Sequence, residues 1–95
     1  MLKAEIINRL LEAQQIGCSV ILEQDQLRQK ILKINSVREI DNIEGVIEDD
    51  DGLICLECWY TEDDTDFGIN TDGKLIFGVS TVSKLELTDI PDPLT

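Results

Sequence analysis

At Gly17 the hydrophobic period of the chain changes from that of a helix to that of a strand, and this switch limits the fold more than any other feature. Before it, Leu2, Ile6, Ile7, Leu10, Leu11 and Ile16 recur at helical spacing, leaving Lys3, Arg9, Glu12 and Gln15 for the opposite side. Glu5 stands four residues before Arg9, the favourable order for a helical ion pair. Gly17 falls where a helix takes a left-handed terminator. The spacing predicts an amphipathic helix over 2–16 that packs Leu2, Ile6 and Leu10 on a sheet.

After Gly17 the period is two. "CSVILE" (18–23) reads as a strand and "DQ" as a turn, and "LRQKILKINSV" (27–37) alternates bases with apolar residues. In a regular strand Lys30 and Lys33 would point to opposite faces, so a bend or bulge is expected between them. "REIDN" is ambiguous between turn and strand. "EGVIE", "DDDG" and "LICLECWY" read as one hairpin, with Asp51-Gly52 supplying the positive φ of a tight turn. "DFGIN", "TDG" and "KLIFGVS" read as a second hairpin, which makes Asn70, Thr71, Asp72 and Gly73 turn residues. A last strand, "SKLELTDI", runs into prolines that cannot extend a central strand.

The expected fold is α+β: one N-terminal amphipathic helix packed on a five- or six-stranded antiparallel meander sheet. Residues 1–90 form a single domain and 91–95 an extended tail. Curling into a small SH3- or Sm-like barrel is compatible with the apolar spacing of "VILEQDQLRQKILKIN", although the glycines of that family's first motif are absent. The apolar fraction, 42%, suffices for one modest core. No apolar run approaches the ~20 residues that span a bilayer, and no secretory signal pattern opens the chain. Three cysteines make an odd count for a disulfide framework, so a reducing cytoplasm is the expected compartment.

Charge is the outlier. Residues 1–38 carry a net +2 and residues 39–95 a net −14, within a total of −12. A polyanionic half argues against direct binding to nucleic acid or an anionic membrane, both of which reward Lys and Arg.

Catalytic chemistry has little to build on. The chain has no histidine, which removes the usual base near neutral pH, and no phosphate-cradling glycine loop. Cys55 and Cys58 form a C-x-x-C, but in a strand positions three apart face opposite ways. Only one further cysteine, Cys18, stands by to complete a zinc site. The three read as buried structural thiols, and the chain is expected not to be an enzyme.

Three readings of the acids remain. Glu62, Asp63, Asp64, Asp66, Asn70 and Asp72 are hard oxygen donors of the kind Ca²⁺ takes, which makes a calcium-binding regulatory protein the alternative. The EF-hand order fails, however: "GINTDGKLIFGV" begins on Gly68 and ends on Val79, where the loop needs acids. A further alternative is an accessory subunit whose acids serve solubility alone.

The leading expectation is a carboxylate-rich face aimed at a basic protein and involving no cofactor: Glu48, Asp49, Asp50, Asp51, Glu57, Glu62, Asp63, Asp64 and Asp66, with Trp59 as an aromatic anchor among them. The acid clusters read as exposed loop tips. Trp59 shares a strand face with Leu53, Cys55 and Glu57, and a second layer such as the helix is expected to cover it, unless it is the anchor. Strand spacings of ~4.8 Å allow such a surface to approach the charge density of duplex DNA, one charge per ~1.7 Å of axis. Small acidic inhibitors of phages and mobile elements compete for nucleic-acid-binding proteins on this principle, and the comparison rests on charge and size.

Overall fold

The helix ends where its sequence says it should. In the computed structural model, which describes residues 1–25, 27–41, 43, 45, 47–61 and 70–91, α1 spans Lys3–Ile16 and stops at Gly17, whose φ is +82°. The Gly17 amide donates to the Ala13 carbonyl at 2.8 Å, satisfying one of the orphan groups of the last turn. The buried stripe is Ile6, Leu10 and Ala13. Leu2, expected in that stripe, is 70% exposed because it lies before the first helical turn and cannot share its face.

Five antiparallel strands follow: β1 (Ser19–Gln24), β2 (Leu27–Ile40), β3 (Leu53–Thr61), β4 (Asn70–Gly78) and β5 (Val82–Thr88), with the 3₁₀ turn η1 (Val79–Thr81) before the last. β1 and β2 meet at Gln24↔Leu27 across a two-residue turn, in which Asp25 takes a φ of +46°. The spatial order is β4-β3-β2-β1-β5, so four strands form a meander and the fifth returns to pair with the first.

That return shapes the sheet. Flat, five strands would hold their edges ~19 Å apart at ~4.8 Å per spacing. Gly78 and Val82, on opposite edges, are four residues apart and span at most ~14 Å of chain. The sheet is therefore strongly curled, and it stays open, with no β4–β5 ladder among the described residues.

β2 supplies the bend. Its register with β3 shifts between Ile31 and Lys33 and again between Ile34 and Ser36, and the first shift brings Lys30 and Lys33 onto one face, opposite Thr61 and Trp59. Carbonyls at the two irregular positions are taken by side chains: Ser19 Oγ donates to Leu32 at 3.4 Å and Gln14 Nε2 to Asn35 at 2.8 Å. Arg38, Glu39 and Ile40, ambiguous in sequence, complete the strand.

Among the described residues neither expected acidic hairpin forms. Ile47 and Glu48 do not pair with β3; Ile43 and Ile47 bridge each other, while β3 lies between β2 and β4. Thr71, Asp72 and Gly73 are not a turn but the first half of β4, opposite Tyr60, Trp59 and Cys58. Turn-type residues were overridden there by a nine-residue ladder to β3.

One core fills the curl. Ile6, Leu10 and Ala13 of α1 join Val20, Leu22, Ile31, Ile34, Ile54, Leu56, Cys58, Phe77, Val79, Val82 and Leu85 in a single buried cluster. α1 packs over β1, β2 and β5. No helix among the described residues is long and apolar enough to cross a membrane.

Candidate interaction surface at the acidic turn

The run Glu48–Asp51 is four consecutive carboxylates, and the fold treats one of them unlike the rest. Asp49 is only 7% exposed. Its Oδ1 accepts the Asp51 amide at 2.9 Å, and its Oδ2 accepts both the Ser80 amide, at 3.1 Å, and the Ser80 hydroxyl. The Ser80 hydroxyl, aided by those two amides, holds the Asp49 carboxyl below the usual carboxylate range, against the opposing effect of burial.

The backbone closes the same knot. Gly52, at φ +103°, donates to the Asp49 carbonyl at 3.0 Å, and the Val79 amide donates to the Gly52 carbonyl at 3.0 Å. Gly78 lies so close that a Cβ there would stand 2.3 Å from Asp49 Oδ2. The turn before β3 is thus tied to the 3₁₀ link before β5.

Tying down Asp49 leaves its neighbours outside. Glu48, Asp50 and Asp51 are exposed, as are Glu39 at the end of β2 and Asp41 just beyond it. A shallow groove runs between them, lined by Lys3, Glu39, Asp41, Asp49 and Asp50. Lys3 stands 3.6 Å from Glu39, an exposed pair of little energetic weight. The expectation that this whole cluster is an exposed loop tip holds for Glu48, Asp50 and Asp51 and fails for Asp49.

Glu57 and Trp59 belong elsewhere. They do share the outer face of β3, but Trp59 lies seven residues beyond Gly52, ~23 Å along an extended strand. Trp59 is 38% exposed, and the helix expected to cover it does not: α1 packs over β1, β2 and β5. Among the described residues the cross-strand neighbours of Trp59 are Lys33 and Asp72, one base and one acid. Glu57 lies between Ser36 and Lys74, with Lys74 Nζ 3.8 Å away. This surface is mixed in charge, unlike the acidic turn. Glu62, Asp63, Asp64 and Asp66 lie outside the described residues.

Of the alternative calcium donors, Asn70 and Asp72 are placed on β4, opposite Thr61 and Trp59. Among the described residues no three metal-ligating side chains converge. The cysteines are all buried and free. Cys55 faces Arg38 and Ile76, Cys58 faces Ile34 and Gly73, and so the C-x-x-C is split between the two faces. Burial, with Asp72 and Cys55 adding to it, pushes the Cys58 thiol up to about 11, and burial likewise raises Cys18. Such thiols stay protonated and unreactive at neutral pH.

Sequence reasoning missed Ser80 and Gly78, which hold the acidic turn. No motif marks them; "GVST" carries no signal that its serine meets an aspartate thirty-one positions earlier. No family model matches the chain, and no curated protein or solved structure is significantly similar to it.

Proposed function

We propose that this chain is a small, non-enzymatic, cytoplasmic binding module that engages a basic, nucleic-acid-handling protein through its acidic turn and thereby inhibits or regulates it. The observation that carries the reading is the division of labour within Glu48–Asp51: Asp49 is spent on internal bonds that fix the turn, and Glu48, Asp50 and Asp51 are held outward near Glu39 and Asp41, with Lys3 the base that lines the groove between Glu39, Asp41 and Asp50. Solubility alone asks for mixed charge rather than a fixed single-sign patch. Preorganised carboxylates at one end of the molecule supply long-range steering toward a cationic surface and compete there with phosphates.

The test begins with capture of the partner from the source cell and continues with purified components. Association is measured against NaCl concentration for the wild type and for a Glu48→Gln/Asp50→Asn/Asp51→Asn variant. Support is a steep salt dependence in the wild type, flattened in the variant, together with displacement of the module by duplex DNA. Overlapping curves for the two proteins would end the proposal. A wild-type melting temperature raised by millimolar Ca²⁺, with no effect on the partner, would favour the calcium alternative.

A further inference from the structure

The two edges of the sheet are finished differently. At β5, Arg9 of α1 donates from Nη1 to the Leu85 carbonyl at 2.7 Å, and the helix packs against that strand. At β4 nothing comparable occurs: it pairs with β3 on one side, and among the described residues no strand pairs with the other. An unpaired edge is a row of backbone donors and acceptors on which another strand can form. Ile76, on this strand, is 39% exposed.

Gly73 stands in the middle of β4 without a reason among the described residues. Its φ is not in the left-handed region, and a Cβ built there would meet nothing within 4 Å. A glycine in a strand interior weakens the strand, and one that neither conformation nor crowding demands points to another backbone approaching closely. Asp72 and Lys74 flank it on the outer face of the sheet.

We propose that β4 is the interface of a two-fold symmetric dimer, in which β4 of a second copy adds antiparallel about Gly73 and sets Asp72 of each chain opposite Lys74 of the other. The outer face favours this register. One cross-strand row runs Lys33, Trp59, Asp72 and the next runs Ser36, Glu57, Lys74. Pairing about Gly73 joins the first row of one copy to the second row of the other, and the charges alternate across the seam as Lys33, Asp72, Lys74, Glu57. Sliding by one step of the pleat sets Asp72 against Asp72 or Lys74 against Lys74, and parallel pairing also sets like against like. Opposite charges directly across a ladder stabilise it and like charges destabilise it, so the two side chains select one register and one orientation. Every contact occurs twice, as an isologous interface requires. The pairing centres on Gly73, five residues (~17 Å) along β4 from the Gly78 end against which the acidic turn packs, and its test reads self-association alone, so it stands or falls separately from the function proposed above.

Charge exchange tests it. Sedimentation velocity over a concentration series at ~0.15 M NaCl is run on the wild type, Asp72→Lys, Lys74→Asp and the double exchange. The wild type is expected to show a concentration-dependent dimer. Each single variant sets like charges across the axis and should dimerise at least about tenfold more weakly, a loss of ~1.4 kcal/mol. An equimolar mixture of the two single variants should restore the dimer, since one presents two bases and the other two acids, and so should the double exchange. Far-ultraviolet circular dichroism establishes that all four are folded. A wild type that stays monomeric across the series overturns the proposal. So does a dimer indifferent to the exchanges, or a mixture that fails to recover, which would leave Lys74 as no more than a guard against edge pairing.

Discussion

"DDDG" at 49–52 and "NTDG" at 70–73 look alike in sequence and end up as opposite kinds of structure. The first is a turn, with Gly52 at φ +103° and Asp49 buried in a set of hydrogen bonds. The second is straight strand, with Gly73 opposite Cys58 and Asp72 exposed. Composition does not separate them; their partners do. Ser80 awaits the first aspartate, whereas the second segment meets the pleated edge of β3, where the ladder decides. An acidic residue followed by glycine offers the backbone a left-handed position without obliging it to take one.

The largest test of this contrast is Asp49→Ala. It leaves the Asp51 and Ser80 amides without their acceptor, and the expected loss is ~2–4 kcal/mol in urea or thermal unfolding. Asp49→Asn should retain part of that. Since the folded carboxyl is held below its unfolded value of ~3.9, its contribution is full above that value and is lost as pH falls through the folded one. The stability gap between the wild type and Asp49→Asn should accordingly shrink on acidification below about pH 4; a gap that widens there would contradict the bonding described.

Next in size, Gly78→Ala forces a Cβ against Asp49 Oδ2 and should cost ~1–3 kcal/mol. In an Asp49→Ala background the same change should cost far less, because the obstructing carboxylate is gone. A double-mutant cycle measures this coupling, and additive losses would show that the clash is relieved some other way.

The two acidic-glycine motifs can then be compared directly. Gly52→Ala requires alanine at a positive φ and should lose ~1–2 kcal/mol. Gly73→Ala, at an ordinary strand position with open space, should be neutral or gain up to ~0.5 kcal/mol at concentrations where the chain is monomeric. Equal losses at the two sites would erase the distinction. Smallest of all, Asp50→Asn and Asp51→Asn together should move the melting temperature little and upward if at all, since both are exposed and their neighbours are acids.

Much of the fold was legible because its periodic elements are regular. The helical stripe, the Gly17 stop, β1 and β5 can all be read from spacing. The bulge in β2 was legible for a sharper reason: two lysines at an odd separation cannot both face solvent on a regular strand. What could not be read was pairing over distance. The sequence around Gly45–Gly52 has hairpin composition, yet β3 is claimed by β2 and β4, and nothing local reveals this competition. The candidate site divides in the same way. Exposure of Glu48, Asp50 and Asp51 follows from their charge, whereas the burial of Asp49 depends on a serine that only the curl of the sheet brings near. Trp59 was placed on its correct face, but its neighbours Lys33 and Asp72 come from other strands and were invisible one strand at a time.

The pairing of β5 with β1 also bears on the order in which the molecule can be made. Ser19 lies opposite Thr88, so one of the first strands synthesised has to wait for the last before its outer side is satisfied. The hairpins β1–β2 and β3–β4 close over short stretches of chain, but β1–β5 must bring together residues 58 to 69 positions apart. Until Val82 and Leu85 leave the ribosome, the Ile6–Leu10 stripe lacks part of its cover and the edge of β1 stands open. Arg9 cannot find the Leu85 carbonyl before then. The final seven-residue strand is thus the element that converts a partly assembled sheet into a finished one, and a chain stalled before it would be the form most exposed to aggregation.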